Sequence, residues 1–160
     1  MSDIFKPSVT VAAIIEHEGR FLLIEEETSE GIKLNQPAGH LDPHESLEQA
    51  VVREALEETA HEFIPRALVG MYMSRYHSKS RNADVTYLRF TFCGGVGRKF
   101  DQPLDEGILR TLWMTRDEIA ATAERHRSPI VLKCVDDYLA GQSTPLSLLH
   151  THASVFEGGI

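Results

Sequence analysis

The sequence predicts an α/β domain, a mixed β-sheet with helices packed on it. Three features predict it: paired β-branched runs near the N-terminus, one strongly capped helix, and two long strands followed by two short capped helices.

The elements follow in order. Val9 to Ile15 and Arg20 to Ile24 are apolar runs separated by Glu16-His17-Glu18-Gly19, which reads as a hairpin. Glu25 to Lys33 is polar and holds Gly31, which predicts a surface loop, and Pro37 and Gly39 are expected to disrupt any regular element over Asn35 to Gly39. Ser46 and Gln49 form a capping-box pair, and good helix formers run on to Thr59. Pro65 is expected to close that segment. Ala67 to Tyr76 and Val85 to Cys93 predict two strands joined by a polar, basic loop, His77 to Asp84, with Gly94-Gly95 and Gly97 breaking the second. Ile108 to Met114 predicts a further strand. Thr115 caps the next helix, with Asp117 and Glu118 in its first turn. The last has Ser128 as cap, Pro129 at its first position and Gly141 past its end.

At 160 residues the chain is expected to be one domain over 1–160. A net charge of −8 argues against nonspecific nucleic-acid binding but allows a small anionic substrate, because a metal can invert the local charge. Cys93 and Cys134 are isolated and form no Cys-x-x-Cys pair, which fits reduced thiols in a cytoplasmic protein. Met-Ser-Asp-Ile-Phe-Lys lacks the apolar core of a signal peptide, and no apolar stretch approaches the ~20 residues that span a bilayer.

The helix opened by Ser46 carries the chemistry. Glu45 to Glu62 holds six glutamates and one basic residue, Arg53. Glu54, Glu57 and Glu58 fall within an arc of about 100° on the helix, while Leu47, Val51, Val52, Ala55 and Leu56 spread over the adjoining side. A solvated acidic face is the plain alternative, but such faces usually carry lysines at i+4, and this helix has none. Two carboxylates ~4 Å apart repel by ~4 kcal/mol at an effective dielectric of about 20. A hard divalent cation is the natural counter-charge, and Mg²⁺ pairs with carboxylates and substrate phosphates.

Gly39, five residues, Glu45, seven residues, then Arg53-Glu54-Ala55-Leu56-Glu57-Glu58 resembles the signature of the Nudix hydrolases at six fixed positions. The resemblance implies the Nudix fold, a mixed β-sheet sandwiched between helices. It implies that Glu54, Glu57 and Glu58, with the Gly39 carbonyl, hold Mg²⁺ (or Mn²⁺), and that Glu45 and Arg53 form a supporting pair. Glu57 is the candidate proton acceptor, which places Glu57, Glu54 and Arg53 in the catalytic group. The pattern departs at Ala60 and His61, where the family has Gly and an aliphatic residue. A residue with a Cβ costs ~1 kcal/mol in the left-handed conformation that such a helix end favours. His61 is expected to be a packing or surface variation.

A narrower resemblance, to the bacterial NudJ-type phosphatases of that family, rests on Phe5-Lys6-Pro7, Asn35-Gln36-Pro37-Ala38-Gly39-His40-Leu41, Tyr87-Leu88-Arg89-Phe90, Arg127-Ser128-Pro129, and Gly141-Gln142 with Pro145-Leu146. It implies removal of terminal phosphates from nucleoside tri- and diphosphates or from hydroxymethylpyrimidine pyrophosphate. A pyrophosphatase on ADP-ribose or another nucleoside diphosphate derivative is the alternative, and a binding module without catalysis is disfavoured because every box carboxylate is present.

Further candidates lie outside the box. Asp105 or Glu106, ahead of the strand with Trp113, could add an acidic group. Strand alternation sets Tyr87, Arg89 and Thr91 on one face, where Arg89 could grip a phosphate, and Leu88, Phe90 and Phe92 on a core face. Arg75, Lys79 and Arg81 form a basic loop that either is solvated or steers anions. Tyr72, Tyr76 and Tyr87 either pack or stack on a base. His40 and His44 stay unassigned.

Overall fold

The computed structural model describes residues 3–158; Met1 and Ser2, which open the signal-peptide reading, and Gly159 and Ile160 lie outside them. The strands are β1 (Ser8–His17), β2 (Arg20–Thr28), β3 (Gly31–Asn35), β4 (Ala38–His40), β5 (His61–Ser78), β6 (Ala83–Lys99), β7 (Ile108–Thr115) and β8 (Thr144–Pro145). The helices are α1 (Leu47–Thr59), α2 (Arg116–Ala120) and α3 (Ile130–Leu139). The sheet runs β3-β2-β1-β6-β5-β8, with β4 beside β1 and β7 beside β2. It is mixed, since β1 lies parallel to β6 and the other pairs are antiparallel.

Alternation along β1 divides the core. Val11, Ala13 and Ile15 point to α1 and pack with Ala50, Val51, Ala55 and Phe92. Ile14 joins Phe21, Leu23 and Val69 against Ile119, Cys134 and Val135 of α2 and α3. The sheet is therefore sandwiched between helices, as the resemblance implies. Sealing Val51 alone is worth roughly 1.5–3 kcal/mol relative to leaving it exposed. Among the described residues no helix is long and apolar enough to cross a membrane.

Four expectations need correction. Glu25 to Lys33 is not a loop: β2 continues to Thr28 and β3 starts at Gly31. Its polarity misleads because Glu25 is buried and paired with Arg110 and Arg125, at 3.2 and 2.6 Å. Asn35 to Gly39 is not wholly irregular, since Ala38–His40 pairs with Thr10 to Ala12 of β1. Pro65 does not close a segment; β5 runs through it, opposite Gly94 at a register shift, where a missing N–H is tolerated. The glycines after Cys93 do not break β6, which continues to Lys99. A Cβ on Gly94 would collide with the Ile64 carbonyl, so that glycine permits close strand approach.

The helix signals read from the sequence are present. The Ser46 hydroxyl accepts from the Gln49 N–H at 3.1 Å, and the Gln49 side chain accepts from the Ser46 N–H at 2.9 Å. Thr115 and Glu118 repeat the device at 3.2 and 2.9 Å. Each cap is worth about 1 kcal/mol. Helix α3 is bounded one residue later than expected, yet the Ser128 hydroxyl still accepts from the Ile130 N–H at 3.2 Å.

Candidate active site

Strand β4 brings Gly39 beneath α1. The Glu54 carboxylate packs so closely over the Gly39 Cα that a Cβ there would occupy the same space. Glycine at this position is thus a condition of where Glu54 sits.

Arg53 gathers the carboxylates. Its Nε and Nη2 donate to the two oxygens of Glu45 at 3.0 and 2.7 Å, a bidentate fork. Its Nη1 donates to Glu54 at 2.8 Å and Glu57 at 3.2 Å, and Nη2 also reaches the His40 carbonyl at 3.0 Å. The pair spans the loop between β4 and α1 and fixes its path. Arg53 also draws the Glu45 carboxyl below its usual range, against the opposing effect of burial.

The other carboxylates respond in the opposite direction. Glu58 is buried and accepts the Ala38 N–H at 2.7 Å. Burial outweighs that bond and, with Glu54, Glu26 and Asp105 nearby, pushes Glu58 up to about 9. Burial also raises Glu54, opposed by Arg53. Burial thus biases both carboxyls toward their neutral form, and a bound cation would favour the ionised form and oppose both shifts. The donors are all hard oxygens, which fits Mg²⁺. Among the described residues no group of three or more His, Cys, Asp or Glu side chains stands close enough together to hold a metal ion unaided. Mg²⁺ does not need one, because it keeps waters and shares substrate phosphates.

Asp105 and Glu106 separate here. The Asp105 N–H donates to the Glu57 carbonyl at 2.9 Å, and its charge contributes to the rise of both Glu54 and Glu58. Asp105, not Glu106, is coupled to the cluster. His61 bonds the Thr59 carbonyl at 2.9 Å and meets Trp113 edge-on at 6.4 Å. His44 turns to the Val155 carbonyl at 3.2 Å.

A cleft of about 510 Å³ opens on the opposite face of the sheet and meets the acidic side at Ala38, Gly39 and His40. Strand register sets His40, Thr10 and Arg89 in one row across β4, β1 and β6. Arg89 is buried and donates to Asn35 at 3.3 Å and Gln36 at 2.7 Å. Gln36 is itself anchored on the Val131 carbonyl at 2.8 Å. The Arg89 Nε is sealed and has no acceptor. Thr91, expected on the same open face, is instead covered by Cys134 at 3.3 Å, and only Tyr87 and Arg89 of that row line the cleft. Tyr76 and Tyr87 lie parallel at 5.5 Å, with His40 tilted against Tyr87 at 6.0 Å. Tyr72 packs in the core and donates to Asp137 at 2.8 Å.

The basic loop divides as well. Arg75 pairs with Asp84, while Lys79 and Arg81 form part of the cleft wall. Glu26 and Lys33 also line it and carried no functional signal in the sequence, because each looks like an ordinary surface charge in isolation; Arg127 lines it too, from a stretch that carried the resemblance but no assigned role. Asn35 and Gln36 stood in a recognised stretch, but their role in holding Arg89 required the fold.

Comparison with known proteins identifies the family. The NUDIX domain model matches residues 5–134. Phosphatase NudJ of Escherichia coli K12 is 34% identical over 157 residues, covering 98% of this chain and 99% of that protein. A solved structure, a NUDIX hydrolase from Nitrosomonas europaea, superposes with a TM-score of 0.84 at 49% identity, covering 92% of this chain and 98% of that one. The NUDIX domain of Shewanella oneidensis NrtR, complexed with ADP ribose, shares the fold at a TM-score of 0.66 and 16% identity, covering 86% of this chain and 90% of that one.

Proposed function

Because the chain belongs to the NUDIX family and is a hydrolase of that family, we propose that it releases phosphate from nucleoside tri- and diphosphates or small organic pyrophosphates such as hydroxymethylpyrimidine pyrophosphate, with Mg²⁺ as cofactor. The single observation that carries the reading is the carboxylate cluster itself: Glu54 packed on Gly39, Glu58 buried on the Ala38 N–H, and Glu57 beside them on Arg53. The near full-length likeness to Phosphatase NudJ supports the choice of a phosphatase.

Glu54, Glu57, Glu58 and the Gly39 carbonyl would hold the metal. Bound there, Mg²⁺ would neutralise charge developing on the phosphoanhydride oxygens and acidify a water. The chain's own residues do the rest. Arg53 and Glu45 fix the loop so that Gly39 and Glu54 stay in register. Glu58 is oriented by the Ala38 N–H. Glu57, the most exposed of the three ligands, accepts the proton of the attacking water. Arg89 contacts the substrate from the cleft side, and Asp105 adds charge on the other flank of the cluster.

A panel of UDP, CTP, hydroxymethylpyrimidine pyrophosphate and ADP-ribose assayed with Mg²⁺ tests the reading. Inorganic phosphate from the first three is the expected result. AMP with ribose phosphate from ADP-ribose, and no phosphate from the others, would replace it with the pyrophosphatase alternative.

A further inference from the structure

The protein is acidic overall, at −8, but the cleft is not. Its lining includes Lys33, Lys79, Arg81, Arg89 and Arg127 against only Glu26 and Glu30. Positive charge concentrated in a concave, low-dielectric site on an acidic protein draws in anions. The cations arrive from four separate stretches of chain, so no charge run explains their meeting.

Arg89 shows where an anion would sit. It is more than nine-tenths buried and, among the described residues, makes no ion pair and is held only by the neutral oxygens of Asn35 and Gln36. A buried guanidinium whose partners are all neutral is costly unless an anion in the cleft it lines compensates its charge. Its guanidinium leans across Thr10 to the β3–β4 connection, two residues from Ala38, whose N–H holds Glu58. Strands lie about 4.8 Å apart, so the β4 and β6 backbones are separated by about 10 Å. Arg89 and the acidic cluster are thus joined through one short connection, Gln36 to Ala38.

We infer that the cleft seats the phosphate that remains on the substrate after cleavage, that Arg89 is the residue that reads it, and that the ligand class is a phosphorylated aromatic compound whose ring lies by the Tyr76–Tyr87 pair. The inference rests on the proposed reaction and adds a consequence: the phosphorylated product occupies the same seat. A nucleoside monophosphate is therefore a competitive inhibitor, while the unphosphorylated nucleoside is not.

Calorimetric titration of the full chain with UMP and with uridine, in chelator so that no metal bridges the phosphate, tests this. UMP is expected to bind at least tenfold more tightly than uridine. Arg89→Gln should erase that preference, Arg127→Ala on the rim should reduce it two- to threefold, and Glu57→Gln should leave it unchanged. Thr10→Glu sets a carboxylate beside Arg89 without removing it, and serves if Arg89→Gln does not fold; it too should erase the preference. Equal binding of UMP and uridine by the unaltered protein overturns the inference, as does a preference that survives in both variants. A UMP preference without Mg²⁺-dependent phosphate release would sink the proposed reaction and leave the phosphate seat standing. Phosphate release without a UMP preference would do the reverse.

Discussion

The two sides of the β4 strand are built in opposite ways. On one side, Gly39 to Glu58 is a single stretch of chain that folds into a strand, a loop and a helix, and its charge is negative. On the other, the cleft draws on β1, β3, the β5–β6 hairpin and the loop before α3, and its charge is positive. The acidic side is fixed by Arg53 and by close packing on a glycine backbone. The basic side is fixed by side-chain amides holding one buried arginine. On the proposed reading the difference matches two tasks: a short contiguous unit can hold reacting groups to small tolerances, whereas a site assembled from several elements can vary with the substrate body.

The sharpest way to break that division is Glu57→Gln. It is expected to lower kcat for phosphate release by at least ~10²-fold, the usual cost of removing a positioned base. The same variant should melt within about 1 °C of the parent, because Glu57 is partly exposed and a surface change of this kind is worth little. Turnover with Mg²⁺ equal to the parent would remove Glu57 from the mechanism.

Gly39→Ala should come next. The added methyl competes with the Glu54 carboxylate for one position, so Glu54 must move while the strand pairing to Val11 survives. A misplacement of this size is expected to cost between ~10 and ~10²-fold in kcat. UMP binding in the cleft should change less than twofold. A variant that loses both equally would show that the two sides are one unit.

These contrasts also explain what was legible beforehand. The helix, its cap and the spacing of Gly39, Glu45, Arg53, Glu54, Glu57 and Glu58 are local properties, and local sequence carries them. The cleft was legible only as scattered possibilities. Arg89 could be placed on a face, but not beneath Asn35 and Gln36, because that contact joins residues 54 apart and 53 apart in sequence. The same limit produced the misreading of Glu25 to Lys33: the two arginines that let Glu25 be buried lie 85 and 100 residues away. Pro65 and Gly94 were read as breakers for want of knowing that they face each other.

The Glu45–Arg53 pair gives the acidic side a pH signature. Its folded-state carboxyl lies below the ordinary value, so its contribution to stability is fully present above the unfolded carboxylate pKa of ~4.3 and is lost as pH falls through the lower folded value. Urea midpoints should therefore fall between pH 5 and about 3 in the parent. Glu45→Gln should flatten part of that fall and lower the midpoint at pH 7. An identical acid limb in both proteins would show that the fork contributes nothing measurable.

The smallest expected effect lies at the helix end, where α1 and α3 differ in one respect. Helix α3 passes into Gly141 at φ +83°, which costs nothing without a side chain. Helix α1 ends in Ala60 at φ 59°, and its N–H still closes on the Leu56 carbonyl at 2.9 Å. The left-handed exit is thus kept despite the Cβ, at a cost of ~1 kcal/mol. Ala60→Gly should recover part of it, because Ala60 is buried and loss of its methyl offsets some of the gain. A net gain of ~0.5 kcal/mol corresponds to roughly 1–2 °C in Tm for a domain of this size. Ala140→Gly in α3 is the matched control: that residue is right-handed at φ −74°, so the same change should cost ~0.5 kcal/mol. Opposite signs at the two positions would tie the departure at Ala60 to backbone conformation alone, and equal signs would refute it. Glu58 precedes the exit by two residues, so turnover of Ala60→Gly within twofold of the parent would separate helix-end strain from the carboxylate geometry.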